Sequence, residues 1–232
     1  MLLLTSYLLY NGNLTSNQQG DSSMFKSKIS ILAFVVIFLT LPFLAFAGVP
    51  DVDQCDASMA YSGPGTPSLL VVPDGDGNPF TEAHDEEGNM VDATITLIIR
   101  DGAGDPIINY PFEDAWLESE DHGMVACVGG AVANASTDVQ GMTYWSNPMF
   151  AGGYSQAPTR VFVNGLYLPT TLALSYNSPD INGDGAVNLS DIALFSIAYF
   201  SGYQFRCDYN GDGELNLADV TIVAEHIGAS CP

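Results

Sequence analysis

The chain has 232 residues, enough for one large or two small domains, and 27 Asp and Glu residues against 5 Lys and Arg give it a formal net charge of −22. A surface this acidic repels nucleic acid and anionic lipid, so we expect neither as a partner. An acidic exported protein accounts for most of these carboxylates, and only those at fixed spacing require a further explanation.

Residues 1–47 are typical of a leader with an export signal. Residues 24–28 (MFKSK) form a short basic start, and residues 29–44 form an almost unbroken apolar run. Residues 45–47 (AFA) match the small-x-small pattern of a cleavage site, so we predict that the mature protein begins at Gly48 and is secreted or held at the cell surface.

Two features of the leader have alternatives. Residues 1–23 carry no basic residue, and we interpret them as an over-extended gene start, with Met24 as the true start. The apolar run approaches the length of a membrane span, so an uncleaved anchor is the alternative to cleavage. Pro42 and the cleavage pattern favour removal, in which case the membrane is involved only through the export signal.

Residues 48–176 predict an all-β domain. Glycine-rich turns separate short runs of β-branched and aromatic residues, and residues 91–100 (VDATITLIIR) alternate apolar and polar positions as a half-buried strand does. No stretch has a helical period, and many short strands with regular turns indicate an antiparallel sandwich. The further candidate strands are residues 107–110, 125–128, 142–145, 160–167 and 170–175.

Two phrases in this domain resemble bacterial immunoglobulin-like domains of surface and secreted proteins. Residues 93–107 (ATITLIIRDGAGDPI) resemble a strand that ends in an Asp-x-x-Gly-x-Pro turn before the next strand begins. Residues 136–143 (STDVQGMT) resemble a later turn and strand of the same family. The resemblance implies an immunoglobulin-like sandwich.

Four cysteines are present, and none forms a Cys-x-x-Cys pair, so zinc binding and thioredoxin-type chemistry have little support. In an oxidising compartment they are expected to pair. Two lie in each half of the mature chain, and the simplest pairing is Cys55–Cys127 with Cys207–Cys231. Sequence alone leaves the other two pairings open.

Two twelve-residue segments repeat near the C-terminus, residues 180–191 (DINGDGAVNLSD) and residues 208–219 (DYNGDGELNLAD). Offsets 1, 3, 5, 9 and 12 are Asp, Asn, Asp, Asn and Asp in both, and offset 6 is Gly. Calcium takes about six to eight oxygen ligands, and a loop that wraps it needs glycine for the sharp turn at offset 6. An apolar helical stretch follows each loop, which disfavours a pair of simple Asx turns.

Offset 8 is apolar in both loops, Val187 and Leu215, and predicts that the loops pair back to back through a short β contact. Offset 12 is Asp where the common EF-hand has Glu, and no entering helix precedes the first loop. With this combination, residues 179–232 resemble the dockerin family, whose duplicated loop–helix segments bind calcium and dock onto cohesin domains of cellulosome scaffolds.

The resemblance implies a small α-helical module at residues 177–232 with paired EF-hand-type loops, two Ca²⁺ ions and a cohesin-like protein partner. Well-studied dockerins often have hydroxyl residues at offsets 10 and 11, where this chain has Leu189-Ser190 and Leu217-Ala218, so a divergent partner or a self-contained module is the alternative. The implied calcium ligands are Asp180, Asn182, Asp184, the carbonyl of Ala186, Asn188 and Asp191, then Asp208, Asn210, Asp212, the carbonyl of Glu214, Asn216 and Asp219.

Other candidate sites are weaker. Residues 74–78 (DGDGN) look like half a calcium loop, but Pro79 follows where glycine is needed, and we predict a surface loop. His84 and His122 are interpreted as solvated loop residues. The aromatic residues at 144–154 predict core and edge packing, with a sugar-binding platform as the alternative.

No catalytic residue is predicted, because the sequence has no nucleophile elbow, phosphate loop or metalloprotease helix. The main hypothesis is a secreted, non-catalytic protein that uses a calcium-dependent tail for protein attachment. The alternative is a carbohydrate-active or carbohydrate-binding component of a polysaccharide-degrading complex, with a polysaccharide as ligand. We also expect the tail to fold only with calcium, since about 54 residues are near the lower limit for an independent core.

Overall fold

The structure is a computed structural model that describes residues 48–232. The export signal, the start at Met24 and the cleavage site lie outside the described residues. Within the described part of the chain, no helix has the length and apolar character needed to cross a membrane.

Short strands build residues 56–177, as the sequence predicts. They alternate with glycine turns and with short 3-10 turns at Phe80–Glu82 and Phe112–Asp114. The strands are β1 (Asp56–Met59), β2 (Ser68–Leu70), β3 (Ala83–His84), β4 (Met90–Val91), β5 (Ile95–Ile98), β6 (Ala115–Ser119), β7 (Met124–Ala126), β8 (Met142–Trp145), β9 (Ala151–Gly153), β10 (Thr159–Val163), β11 (Leu166–Leu172) and β12 (Ser175–Asn177).

Two three-stranded antiparallel sheets enclose the main core. One has the order β1-β5-β8 and the other β11-β10-β6. Ile95 and Leu97 alternate with half-buried residues along β5, and Val161 and Val163 do so along β10. These side chains are fully buried in one common hydrophobic cluster, which therefore lies between the two sheets. The predicted all-β sandwich is confirmed.

A third sheet connects the sandwich to the C-terminal part. Its order is β12-β2-β3-β4, and β12 runs parallel to β2, with Tyr176 opposite Leu69. Strands β7 and β9 form a separate antiparallel pair in which Val125 is opposite Gly152. The chain leaves β12 and enters the first predicted calcium loop three residues later, without an entering helix.

Four strand predictions need correction. The predicted strand at residues 170–175 spans the break at residues 173 and 174 between β11 and β12. Residues 160–167 are predicted as one strand, but they contain the end of β10, a two-residue turn and the start of β11. The turn is formed by Asn164 and Gly165, whose φ angles of 52° and 80° reverse the chain. Residues 91–100 are interrupted after β4, where the Asp92 carboxylate accepts a hydrogen bond from the Thr94 backbone N–H at 2.9 Å. The predicted strand at residues 107–110 is absent from the described sheets, and Asn109 has a φ of 56° that ends extended backbone.

Two helices follow the loops, α1 (Leu189–Ser201) and α2 (Leu217–Glu225), in the stretches where the sequence predicts them. Asn188 and Asn216 are their N-cap residues. In each helix the third residue, an aspartate, accepts a hydrogen bond from the N–H of its cap, which completes a reciprocal capping box. The dockerin-type pattern of one loop leading directly into one helix is therefore present twice.

The small core of the helical part is shared with the sandwich. Leu70, at the end of β2, joins a buried cluster with Ile181, Phe195, Tyr209 and Val223. The described residues fall in a single compact unit. The C-terminal part thus completes its core with a side chain from the β domain.

The predicted disulfide pairing is wrong. Cys127, just after β7, is bonded to Cys231, and the two are 104 residues apart. After α2 the chain turns back to the first loop, which places Cys231 beside Gly185 and the edge of the sandwich. Cys55 and Cys207 are free, and Cys207 is buried.

Candidate calcium centre and docking face

The first loop is organised by two buried aspartates. Asp180 has no exposed surface, and its carboxylate accepts hydrogen bonds from the backbone N–H groups of Gly185 at 2.9 Å and Asp184 at 3.1 Å. Asp191 is equally buried and accepts from the N–H groups of Asn182 at 3.2 Å and Asn188 at 2.9 Å. The loop backbone therefore curls around the carboxylates at offsets 1 and 12, to which its N–H groups donate hydrogen bonds.

The second loop repeats this arrangement. The carboxylate of Asp208, 2% exposed, accepts from the Gly213 N–H at 2.9 Å. Fully buried Asp219 accepts from the N–H groups of Tyr209 at 2.9 Å and Asn216 at 3.0 Å. The repeated sequence thus produces a repeated loop geometry.

The polar groups between these aspartates converge in each loop. In the first, the Asn182 amide donates to Asp184 at 2.9 Å, and the Asn188 amide donates to the Ala186 carbonyl at 3.0 Å and points to Asp184 at 3.4 Å. The second loop has the same contacts to its offset 5. There Asp212 accepts from Asn210 at 2.8 Å, Asn216 at 3.2 Å and the Glu214 N–H at 2.9 Å. Each predicted ligand set therefore lies within one loop.

Buried negative charge is the main electrostatic feature of these loops. Burial raises the pKa of Asp180, and the nearby charge of Asp191 adds to the effect. Burial also raises the pKa of Asp219, with a further contribution from Asp208. Among residues 48–232, the ion pairs are His122–Glu118 and Arg160–Glu120, so no Arg or Lys neutralises the four buried carboxylates. A buried carboxylate without a counter-charge is destabilising.

The donor chemistry of both loops fits a hard divalent cation. Oδ1 of Asp208 is buried and has no hydrogen-bond partner, and every predicted donor is an oxygen, as calcium prefers. In the described part of the chain, no group of three or more His, Cys, Asp or Glu side chains is arranged as a metal site. Instead, the offset-5 carboxylates accept hydrogen bonds from asparagine amides, Asp184 from Asn182 and Asp212 from Asn210.

The predicted pairing of offset 8 between the loops is wrong. The Val187 N–H donates to the carbonyl of Ala229 at 2.9 Å, and the Gly228 N–H donates to the carbonyl of Val187 at 2.9 Å. Val187 therefore pairs with the C-terminal segment, whereas Leu215 packs beside the core shared by the helices. After α2 the chain returns toward Cys231, so residues 228 and 229 occupy the place beside Val187 where Leu215 of the second loop was predicted.

The sandwich supports the first loop through glycines. The Gly153 N–H donates to the backbone carbonyl of Asp180 at 2.7 Å, and a Cβ at Gly152 would collide with the Asp180 carboxylate. The side chain of Val125, on the neighbouring strand, lies against Gly183 of the loop. These contacts depend on the fold, and no local motif marks them in the sequence.

The second loop also contacts the β domain. The Asn177 amide donates to the backbone carbonyl of Asp208, and the turn after β3 places Gly88 beside Asp212. His84 lies in β3, half-buried against Gly211, and burial lowers its pKa. Its assignment as a solvated loop residue is wrong, because the module packs over it.

The remaining weak candidates have structural roles or lie on the surface. Asp74 accepts from the Asp76 N–H at 3.1 Å in a surface turn, as predicted. The side chain of His122 is exposed. Trp145 is 1% exposed, and its indole N–H donates to the Ala131 carbonyl at 3.0 Å, so it belongs to the core. Tyr144 and Phe150 are partly exposed at the edge.

An apolar groove of about 340 Å³ lies between α1 and α2. Its lining follows the sequence repeat, since Ile192 and Tyr199 from α1 have Val220 and Ile227 at the positions 28 residues later. At its rim, Phe200 is 86% exposed. The two offset-10 residues are also exposed, Leu189 by 82% and Leu217 by 73%. We call this surface the helix face, and it comprises Leu189, Ile192, Phe195, Tyr199, Phe200, Leu217, Val220, Val223 and Ile227.

Comparison with known proteins agrees with this geometry. Residues 178–228 match the family model described as dockerin type I domain, which confirms the resemblance found in the sequence. A dockerin is a non-catalytic docking module, so the match supports protein–protein docking by this part of the chain, a cohesin as the class of partner, and calcium binding as a general property of the family.

No curated protein matches the chain. Several solved structures are similar to it, including the following two. The Lin-41 filamin domain is 15% identical, covers 54% of this chain and 95% of its own, and has a TM-score of 0.26. A type II cohesin–X-dockerin complex from Acetivibrio cellulolyticus, an N-terminal interface mutant, is 22% identical, covers 50% of this chain and 83% of that chain, and has a TM-score of 0.23.

Proposed function

We propose that this protein is an exported, non-catalytic docking protein in which residues 177–232, loaded with calcium, attach the β-sandwich to a cohesin-type partner. The observation that carries the proposal is the helix face, a largely exposed apolar surface that follows the sequence repeat. It is flanked by two loops whose buried carboxylates form no ion pair with Arg or Lys among the described residues. The dockerin match to residues 178–228 supports it. Export agrees with the usual extracellular or cell-surface location of dockerin proteins.

Each loop would hold one calcium ion. Bound calcium would bring two positive charges to three carboxylates, which lowers the local charge from −3 to −1 and offsets the cost of ordering the loop. Asp180 and Asp208 would supply buried oxygens at offset 1, and Oδ1 of Asp208 has no competing partner. The proposed ligands are Asp180, Asn182, Asp184, the Ala186 carbonyl, Asn188 and Asp191 in one loop, and Asp208, Asn210, Asp212, the Glu214 carbonyl, Asn216 and Asp219 in the other.

Docking would depend on apolar burial. Neither α1 nor α2 contains Lys or Arg, and Leu189 and Leu217 occupy the exposed position where well-studied dockerins often have a hydroxyl. A complementary cohesin would therefore present an apolar surface to the helix face. Because ion pairs contribute little to such a contact, we expect its affinity to change weakly between low and high salt.

The test is capture of purified cohesins by the immobilised, exported chain in calcium and in chelator. Phe200→Asp and Leu217→Asp place a charge on the helix face and should abolish capture. Leu166→Asp is the matched control, since Leu166 is 60% exposed on β11, outside the helix face. Capture by no cohesin of a broad panel, or equal capture by all three variants, would contradict the proposal.

A polysaccharide is the second candidate partner, and one observation favours it. Trp116 stacks on Phe162 at 5.2 Å between ring centroids, and Phe162 meets Tyr167 edge-on at 5.8 Å, in a row across the outer face of β6, β10 and β11. The Trp116 indole also donates to Glu118 at 2.8 Å. Aromatic rings beside carboxylates suit stacking and hydrogen bonding to sugars.

Retention on insoluble polysaccharides distinguishes this candidate. Trp116→Ala should reduce retention if the row binds sugar, whereas Tyr144→Ala, at a partly exposed ring of the opposite sheet, should not. Trp145 is unsuitable for this test because it lies in the core. Wild-type protein that is not retained on any of the polysaccharides would rule this candidate out for those sugars.

A further inference from the structure

The first loop is held by the C-terminal segment, residues 228–231. The Cys231 N–H donates to the carbonyl of Gly185 at 2.9 Å, and Ala186 and Ser230 form an antiparallel bridge. Gly185 is the offset-6 glycine, and its own N–H donates to Asp180. The segment therefore holds the peptide group that follows Gly185, and Asp180 holds the one that precedes it, in the sharp turn that calcium binding requires.

The Cys127–Cys231 disulfide anchors this segment to the β domain. Cys127 follows β7, and its N–H donates to the carbonyl of Phe150 at 2.9 Å, so its backbone is fixed in the sandwich. A Cβ at Gly185 would lie 3.2 Å from the Cys231 sulfur, which shows how closely the bonded cysteine lies against the turn. The turn of the first loop is thus hydrogen-bonded to a residue that is itself covalently attached to the sandwich.

The β domain holds the opposite side of the same loop. The backbone N–H of Gly153, in β9, donates a hydrogen bond to the backbone carbonyl of Asp180 at 2.7 Å. The Asp180 carboxylate occupies space that a side chain at residue 152 would fill, since a Cβ at Gly152 would collide with it. Asp180 therefore takes its position partly from the sandwich.

The second loop provides an internal comparison. Its offset-6 residue, Gly213, has no heavy atom of the described residues within 4 Å of an added Cβ, so no segment among residues 48–232 packs against that position as Cys231 does against Gly185. It touches the β domain at offsets 1, 4 and 5, through Asp208, Gly211 and Asp212, and no disulfide lies against it among the described residues. Two loops of nearly the same sequence therefore differ in the support of their central turn.

We propose that the first calcium site is a composite site, in which Gly152 and the Cys127–Cys231 disulfide position Asp180 and Gly185, so that the first loop binds calcium more tightly than the second. This inference rests on the proposed calcium binding of both loops. A loop that is already ordered does not lose conformational freedom when the ion binds, which favours binding. Partners that orient metal ligands typically change metal affinity by about 10–100-fold.

The two sites can be followed separately in the ¹⁵N-labelled, oxidised chain. The Gly185 and Gly213 amides each donate to the first aspartate of their own loop at 2.9 Å, so their NMR signals report the two sites during a calcium titration. In wild type, we expect Gly185 to reach saturation at lower calcium than Gly213. In the double variant Cys127→Ser/Cys231→Ser, the dissociation constant reported by Gly185 should rise about 10–100-fold. The value reported by Gly213 should stay within about twofold, as expected for an uncoupled site.

Gly152→Ala tests the same idea with the disulfide intact, and it decides the matter if the double cysteine variant does not fold. It should weaken the first site alone. Cys55→Ser and Gly102→Ala are controls, since Cys55 is a free thiol and a Cβ at Gly102 meets only one atom, at 3.5 Å. Equal weakening of both sites, or no change at Gly185, would overturn the composite site. No calcium response at either glycine in wild type would overturn the proposed calcium function itself.

Discussion

Removing the Cys127–Cys231 disulfide should destabilise the whole described unit. The bond joins residues 104 apart, and in the chain-entropy model a closed loop of about 100 residues stabilises the folded state by about 4.7 kcal/mol. Single domains have total stabilities of about 5–15 kcal/mol, so this is a large share. The closed loop includes β8 to β12, both calcium loops and both helices, and the constraint therefore acts on both parts of the chain.

The measurement is urea unfolding of wild type, Cys127→Ser/Cys231→Ser and Cys55→Ser, each in chelator and in saturating calcium. The double variant should lose roughly 3–5 kcal/mol, as expected for a native disulfide closing a long loop. The control Cys55→Ser should be affected far less, because Cys55 is a free, partly buried thiol outside the closed loop. In chelator, oxidised wild type should unfold in one transition, and the double variant should lose the helical signal first.

Two results would refute this reasoning. A loss below about 1 kcal/mol would mean that the C-terminal segment is held without the bond, by its backbone pairing with residues 185–187. Two separate transitions in oxidised wild type would mean that Leu70 and β12 do not couple the helical part to the sandwich.

Three further predictions concern the core, the charged loops and the leader. Trp145→Ala should destabilise the sandwich by about 3–5 kcal/mol in thermal unfolding, and Trp116→Ala by clearly less, because only Trp145 is fully buried. Since burial raises the pKa of Asp180 and Asp219, their protonated forms stabilise the metal-free fold at low pH, and this contribution is lost as the pH rises through the raised pKa values. In chelator at neutral pH, Asp180→Asn should therefore increase the free energy of unfolding, whereas in calcium it should decrease it; a decrease in both conditions would contradict this sign. N-terminal sequencing of exported protein should begin at Gly48, and retention of residues 29–44 would indicate a membrane anchor instead.

The sequence predicts the calcium loops and their helices well because their information is local. Twelve consecutive residues contain every proposed ligand of one ion, and the apolar stretch that follows each loop becomes a helix beginning at Leu189 or Leu217. The buried positions of β5 were also readable, since alternation along residues 95–98 sets its two faces. In these segments local pattern and final structure agree.

Some errors came from signals that were present. Asn164-Gly165 is a strong two-residue hairpin signal, and it divides residues 160–167 into the end of one strand and the start of the next. The β6 strand, residues 115–119 (AWLES), alternates buried and half-buried positions and could have been found in the same way. Its Trp116 begins the aromatic row of β6, β10 and β11, whereas the predicted alternative of a sugar-binding platform concerned residues 144–154.

Other features could not have been predicted from local pattern. The partner of Cys127 lies 104 residues away, and its choice depends on how the chain returns after α2. The importance of Gly152 arises from Asp180, which lies 28 residues later and reaches the glycine only through the packing of the loop on β9. Such contacts are set by tertiary structure.

The contacts between the two parts change how calcium should be expected to act on folding. An excised module of residues 177–232 would lose Leu70 from its core, the Gly153 hydrogen bond to Asp180 and the disulfide partner Cys127. A module that needs calcium to fold when isolated can therefore be largely folded without calcium in the full chain, because the sandwich supplies part of the ordering. Calcium would then act mainly on the second loop, where no atom of the described residues packs against the Cβ position of Gly213, and on the helix α2 that begins at its end.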